Sequence, residues 1–306
     1  MQHYTLVNNI DSEYAIFKNG AFQGSKLATL LFNIFINDIC EIDINNICLY
    51  ANDIAWVIEG LDEMDITHKA QTIINKLENW LTENKLIINV NKTKYMIIKT
   101  KNKKFNENEI NILYKNQTIE KVDQFKYLGI LIDNKLTWNK HKNKLYNKIR
   151  NFIPALYELK RYYAKEKILN IFQQNILSLV EYGIEIYGNT NIDKINKLLT
   201  KMLRIIVNDE NEIKQFKNKF NVQRLYQMKW CKIIHKCIHN SNALPEYYKN
   251  LIKLKRNRNG LQIEMNYRKN NNSISYNKAC DIWNNLDKEI REIQDYNELM
   301  VKLESS

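Results

Sequence analysis

Three groups of residues in this sequence have the types and spacing to do chemistry. The first is Tyr50-Ala51-Asn52-Asp53, which lies between two short apolar, β-prone runs at 47–50 and 54–57. That pattern predicts a strand–turn–strand hairpin with a polar tip. Taken alone, Asp53 is a polar turn residue there. The second is Gln23-Gly24 within GAFQGS, a loop ahead of a helix in which glycine supplies backbone freedom. The third is Cys231, His235 and His239, spaced i, i+4, i+8, with Cys237 close by. Two histidines four apart on a helix can bind zinc. The spacing matches no closed four-ligand zinc pattern, however, and Ile233, Ile234 and Ile238 mark an ordinary packing helix. Cys40, Cys48 and Cys280 sit in apolar surroundings and read as core filler. Asp38 reads as a polar residue at a helix end.

Charge narrows the partner. The 306 residues carry 46 Lys and Arg against 34 Asp and Glu, a formal net charge of +12. Such an excess predicts a polyanionic partner, either nucleic acid or an acidic membrane surface. The cations cluster at Lys99, Lys101, Lys103 and Lys104, then at Lys140, Lys142, Lys144, Lys148 and Arg150. Further clusters are Lys160, Arg161, Lys165 and Lys167 around Tyr162 and Tyr163, and Lys253, Lys255, Arg256 and Arg258. With 7 Gly, 2 Pro and 5 Cys the chain is neither collagenous nor a disulfide scaffold. No apolar run reaches the roughly 18 residues of a membrane span, and residues 1–10 lack the form of a secretory signal. An odd cysteine count without such a signal fits a reducing intracellular compartment, nucleus or cytoplasm.

The elements that must position these residues follow from periodicity. Leu30, Leu31, Ile34, Phe35 and Ile39 share one helix face, and Ile66, Ala70, Ile73, Ile74, Leu77, Trp80 and Leu81 another, ending near Asn84. Short strands are expected at 86–90, 95–98, 110–114, 118–122 and 125–132, with Lys115-Asn116 as a turn. Residues 1–135 therefore read as α+β. From 139 to 207 the pattern is helical, Leu145, Ile149, Phe152, Ile153 and Leu156 form a face, and Pro154 should break the run. Residues 208–306 read as a helical C-terminal region, interrupted by a mobile basic loop near 256–272.

Three segments occur in a fixed order: GAFQGSKLATLLFNIFINDI (20–39), LYANDIA (49–55) and NKLENWLTENKLIINVNKTKYMII (75–98), followed by FKYLGILID (125–133). In this order they resemble the later motifs of the reverse transcriptase palm of non-LTR, jockey-like retrotransposons. The resemblance continues through LTWNKHKNKLYNKI into a helical thumb and more loosely to WNNLDKEIREI. It implies a truncated polymerase palm at 1–135, with helices packed on antiparallel strands, an all-α thumb at 136–207, and the helical region 208–306. It implies that Gln23, Gly24 and Tyr50 face nucleotide and template, and that Asn52 and Asp53 stand where the family carries two aspartates. Lys92 falls in the segment where a lysine can protonate departing pyrophosphate. Tyr127, Leu128 and Gly129 resemble the hairpin that grips the primer end. Lys140, Lys144, Lys148, Arg150, Lys160 and Arg161 lie on the part that tracks the phosphates of an RNA template–DNA primer duplex. The implied cofactor is Mg²⁺ or Mn²⁺.

Nucleotide transfer in that family uses two divalent cations about 4 Å apart, held by oxygen ligands. Here Asn52 replaces one aspartate, and the fingers with an earlier palm aspartate are expected to be missing, supplied if at all by an N-terminal fingers or endonuclease region of a longer polyprotein. The expectation is a polymerase by descent that is inactive as this polypeptide. Two alternatives stand beside it: a non-catalytic remnant that binds RNA or RNA–DNA duplex, and a structural protein whose basic face meets an acidic partner.

Overall fold

Two helices organise the first part of the chain, α1 over Lys26–Ile36 and α2 over Glu63–Glu83. The Asp62 carboxylate accepts the Asp65 N–H at 2.8 Å, satisfying a donor that the start of α2 would leave free. Asn84 closes the helix, with its side-chain amide donating to the Trp80 carbonyl at 2.9 Å. This is a computed structural model, and it describes residues 2–3, 6–7, 10–12, 15–16, 26–44, 46–99, 106–239, 252–257, 260–265 and 274–305. The chain divides into two compact units, 1–123 and 124–306. The described elements are mixed helix and two-stranded sheets, an α+β composition.

In the first unit α2 buries Ala70, Ile73, Ile74, Leu77 and Leu81, the face that its spacing predicts. Ala70, Ile74, Leu77 and Leu81 pack with Ile36, Ile39, Ile110, Ile112, Tyr114 and Ile119. Gln71 acts as a substitute strand, its amide donating to the Leu113 carbonyl at 2.9 Å and its oxygen accepting the Leu113 N–H at 3.0 Å. Leu113–Tyr114 pairs antiparallel with Gln117–Thr118 across Lys115 and Asn116, whose φ angles of +46° and +62° give the expected tight turn. Residues 86–90 form no strand. The Leu86 N–H is taken by the Leu81 carbonyl at 2.8 Å, and the Asn89 carbonyl takes the N–H groups of Lys92 and Thr93, so no ladder can start there. Of the expected 95–98 strand only Tyr95 is in a strand, Lys94–Tyr95, which pairs parallel with Glu120–Lys121.

The apolar stripe of α1 departs from its expected burial. Leu30, Leu31, Ile34 and Phe35 are exposed, whereas Ile36 and Ile39 are buried. Ile39, the buried member of that stripe, lies in the 3₁₀ turn Asn37–Ile42 after α1, whereas Ile36 at the end of α1 is buried off the stripe. Cys48 is likewise exposed, because it alternates with the inward-facing Ile47 and Leu49 along a strand.

The second unit opens with the antiparallel hairpin Gln124–Tyr127 and Ile130–Asp133. The unit division thus precedes residue 135 and puts this hairpin with the helices. Then follow α3 (Asn139–Arg150), α4 (Ile153–Tyr162), α5 (Lys165–Ile171), α6 (Ser178–Glu181), α7 (Ile184–Tyr187), α8 (Asp193–Ile206), α9 (Glu210–Lys219) and α10 (Val222–His239). Pro154 sits in the first turn of α4, where its missing N–H costs nothing, so it separates α3 from α4. Trp283, Tyr187, Tyr226 and Phe172 are fully buried within one continuous core.

The segment expected as a basic loop near 256–272 is partly a hairpin. Ile252–Asn257 pairs antiparallel with Gly260–Met265. The period-2 run of Ile252 and Leu254, then Leu261, Ile263 and Met265, outweighs the basic and Asn-rich composition. Asn284 clamps this hairpin, donating to the Ile263 carbonyl at 2.9 Å and accepting its N–H at 3.0 Å. Residues 266–273 lie outside the described residues. Among the described residues, no helix is long and apolar enough to cross a membrane.

Candidate nucleic-acid and nucleotidyl-transfer site

The tip hairpin forms as its pattern predicts. Ile47–Tyr50 pairs with Asp53–Trp56, and Tyr50 lies directly opposite Asp53. Ile47, Leu49, Ile54 and Trp56 pack against the core beside α2 and so anchor the inner face. The turn consists of Ala51 and Asn52, with Ala51 in the left-handed region at φ +51°, an unusual conformation for a residue with a Cβ. Tyr50, Asn52 and Asp53 are all exposed, placing an aromatic ring, an amide and one carboxylate around a tight turn. Among the described residues the Asp53 carboxylate makes no hydrogen bond or ion pair. Gln23 and Gly24 lie outside the described residues.

This donor set does not fit a centre of two dications. One carboxylate and one neutral amide oxygen carry a single negative charge, and hard divalent ions are held mainly by carboxylates. Among the described residues no three or more His, Cys, Asp or Glu side chains are grouped to hold a metal. Asn52→Asp adds a second charge beside Asp53, and Mn²⁺ affinity followed by paramagnetic resonance should tighten by about tenfold, the lower scale of ligand-shell effects. A change below about twofold would mean that the two side chains do not act on a common ion.

Lys92 is exposed, and its backbone N–H donates to the Asn89 carbonyl at 3.0 Å. Asp38 is exposed in the 3₁₀ turn Asn37–Ile42 that follows α1. In α10, the His235 ring nitrogen Nε2 donates to the Ile293 carbonyl at 3.0 Å. Burial pushes the Cys231 thiol up to about 12 and the Cys237 thiol up to about 11, so neither supplies a thiolate near neutral pH. Cys231 and His235 are buried in the core, Cys237 is half-buried and His239 is exposed.

The second hairpin, at 124–133, is held by groups outside its own strands. Its turn, Leu128 and Gly129, has φ angles of +44° and +85°. The Leu131 N–H donates to His141 Nδ1 at 3.3 Å. Burial, then the charge of Lys144, keeps the His141 pKa below its ordinary value and favours the neutral ring, and the Leu131 N–H selects the tautomer whose Nδ1 accepts. At the far end Asp133 accepts the N–H groups of Thr137 at 3.1 Å and Trp138 at 2.8 Å, just ahead of α3. Asp133 is not among the candidate site residues of the sequence, although an aspartate shortly before a helix is a recognised start signal.

Cations line the helices that follow. Lys140, Lys144 and Lys148 recur at i, i+4 and i+8 on α3 and are exposed, as is Arg150. Lys160 donates to the neutral Asn208 amide oxygen at 2.9 Å, whereas Arg161 pairs with Glu158 at 3.3 Å. Lys142 is drawn inward, donating to Thr190 Oγ1 at 2.9 Å and to the Asn191 carbonyl at 3.0 Å. Lys165 is committed to Glu212 at 2.8 Å.

Residues 2–132 match the family model for reverse transcriptase (RNA-dependent DNA polymerase). The chain is 24% identical over 201 residues to the RNA-directed DNA polymerase from mobile element jockey of Drosophila melanogaster. It is 26% identical over 204 residues to that of Drosophila funebris, and 23% over 202 residues to the probable RNA-directed DNA polymerase from transposon X-element of Drosophila melanogaster. These alignments cover 61% or 62% of this chain and 22% of each relative, so the chain spans about a fifth of the length of the curated relatives it matches. No solved structure matches it. On these matches the chain is similar to the RNA-directed DNA polymerases of jockey-like non-LTR mobile elements, and the likeness to the reverse transcriptase model lies in residues 2–132.

Proposed function

We propose that this chain is a palm and thumb portion of such a polymerase. In this reading it holds an RNA template–DNA primer duplex through its helical unit and does not itself join nucleotides. The observation that carries it is the exposed stripe Lys140, Lys144 and Lys148 on α3, the first helix after the hairpin bearing Tyr127, Leu128 and Gly129. Regularly spaced, uncompensated cations suit the phosphates of a nucleic-acid backbone, which contribute affinity without sequence readout. Arg150 and Lys160 extend the charge, and Arg161 adds less because Glu158 already meets it.

Gln23, Gly24 and Tyr50 are assigned to the nucleotide side, and Lys92 to the pyrophosphate side, by their places in the family motifs. Reverse transcriptases as a family use divalent metals, and Asn52 beside Asp53 supplies too little charge for that chemistry. The chain's own contribution is then to bind and orient the duplex.

The test is paired. In anisotropy measurements at low salt the purified 306-residue chain should bind a labelled RNA–DNA duplex. With primer, template and deoxynucleotides it should give no extension in Mg²⁺ or Mn²⁺. Measurable extension would overturn the loss of transfer. Absence of duplex binding would overturn the nucleic-acid reading and leave the basic face for an acidic protein partner.

A further inference from the structure

A two-stranded ribbon is marginal on its own, and the turn of the hairpin at 124–133 carries a leucine in the left-handed region, where a side chain with a Cβ is disfavoured. The turn therefore needs an outside hold. Tyr182, at the junction of α6 and α7, supplies one: its hydroxyl donates to the Leu128 carbonyl at 2.6 Å. Its ring stands against Gly129, where an added Cβ would come within 3.1 Å of Cε1. Gly183 follows at φ +68° and lets the backbone meet Ile130, where an added Cβ would come within 2.5 Å of Cδ1. The Tyr182-Gly183 pair thus holds both the turn and the strand leaving it. Tyr182 is still 57% exposed. A ring used only for core packing would be covered, whereas this one reaches across solvent-facing surface to a single backbone carbonyl.

We infer that Tyr182 is a positioning residue that fixes the Leu128–Gly129 turn in the orientation that receives the recessed 3′ end of a nucleic-acid duplex. The inference rests on the proposed function, in which the chain holds a duplex through the helical unit that carries this hairpin. Recognition of a strand end needs backbone groups held within a fraction of an ångström, and the hydroxyl-to-carbonyl bond is the direct restraint on this turn.

The experiment compares the full chain with Tyr182→Phe on two RNA–DNA hybrids, one blunt and one with a recessed DNA 3′ end. The wild-type chain should prefer the recessed end. Tyr182→Phe should lose about fivefold of that preference, the scale of one net hydrogen bond, and keep its affinity for the blunt duplex within about twofold. Amide hydrogen exchange over 124–133 should quicken several-fold while the thermal midpoint stays unchanged. Faster exchange with an unaltered end preference would confine Tyr182 to a structural role and overturn this inference alone. So would a wild-type chain that does not distinguish the two hybrids. A wild-type chain that binds neither hybrid would overturn the duplex reading, and this inference with it.

Discussion

Replacing Asp133 by alanine should destabilise the helical unit by about 2–4 kcal/mol, the cost of leaving several part-buried donors without their charged acceptor. In a unit of this size that lowers the thermal midpoint by roughly 10 °C. Asp133 is 6% exposed and accepts four donors: the N–H groups of Lys135, Thr137 and Trp138 and the Thr137 hydroxyl. Leu136 and Trp138 in the same loop have φ angles of +51° and +61°, conformations that residues with a Cβ adopt only when held. The carboxylate therefore closes the hairpin, holds the loop and starts α3, whose own N-cap position, Trp138, offers no side-chain acceptor.

The pH dependence has a definite sign. Burial raises the Asp133 pKa, but the three N–H groups and the hydroxyl together outweigh it and hold the carboxyl below its ordinary value. A carboxyl depressed in the folded state contributes its full stability above the unfolded pKa, near 3.9, and loses it as pH falls through the folded value. Melting followed by circular dichroism should therefore show a constant gap between wild type and Asp133→Ala from pH 7 to about 5. The gap should narrow below about pH 4. A gap independent of pH down to about 2 would mean that the charge of Asp133 contributes nothing to its role.

What the sequence disclosed was whatever is local. The α2 helix was legible because its apolar spacing, Asp62 and Asn84 all agree, and the turn at Lys115 and Asn116 because short polar residues between β-prone runs leave few options. Pro154 and the Ala51-Asn52 tip belong to the same class. The misses share a cause as well. Leu86, Ile88 and Val90 alternate like a strand, but the end of α2 and the Asn89 turn claim backbone groups that a ladder would need. The stripe on α1 is periodic without being buried, since periodicity says which residues share a face and not whether anything covers it. For the hairpin at 252–265, basic and Asn-rich composition masked a clear alternation. The Tyr182 contact spans 54 residues of sequence, so it follows from how the hairpin packs on the helices and no local signal announces it. At the tip, the residue types of Asn52 and Asp53 were legible from sequence, and the structure adds their exposure and the exact opposition of Tyr50 to Asp53.

Duplex binding by this chain should weaken roughly 500-fold between 50 and 200 mM monovalent salt, because about five neutralised phosphates give a logarithmic slope near −4.5. Five is the number of cations among Lys140, Lys144, Lys148, Arg150, Lys160 and Arg161 once Arg161 is set aside as paired with Glu158. Neutralising Lys140, Lys144 and Lys148 together to glutamine should make the slope shallower by about 2.7. The fold should be left intact, since all three are exposed and none has a hydrogen-bond or ion-pair partner among the described residues. The control is internal. Lys194, Lys197 and Lys201 present equal charge on α8 and are also exposed, so their glutamine triple changes net charge by the same amount. If phosphates lie along α3, the α8 triple keeps a slope near that of the wild type. Equal slopes for the two triples would mean that the chain answers only to its total charge, and the assignment of α3 as the track for the backbone would fall.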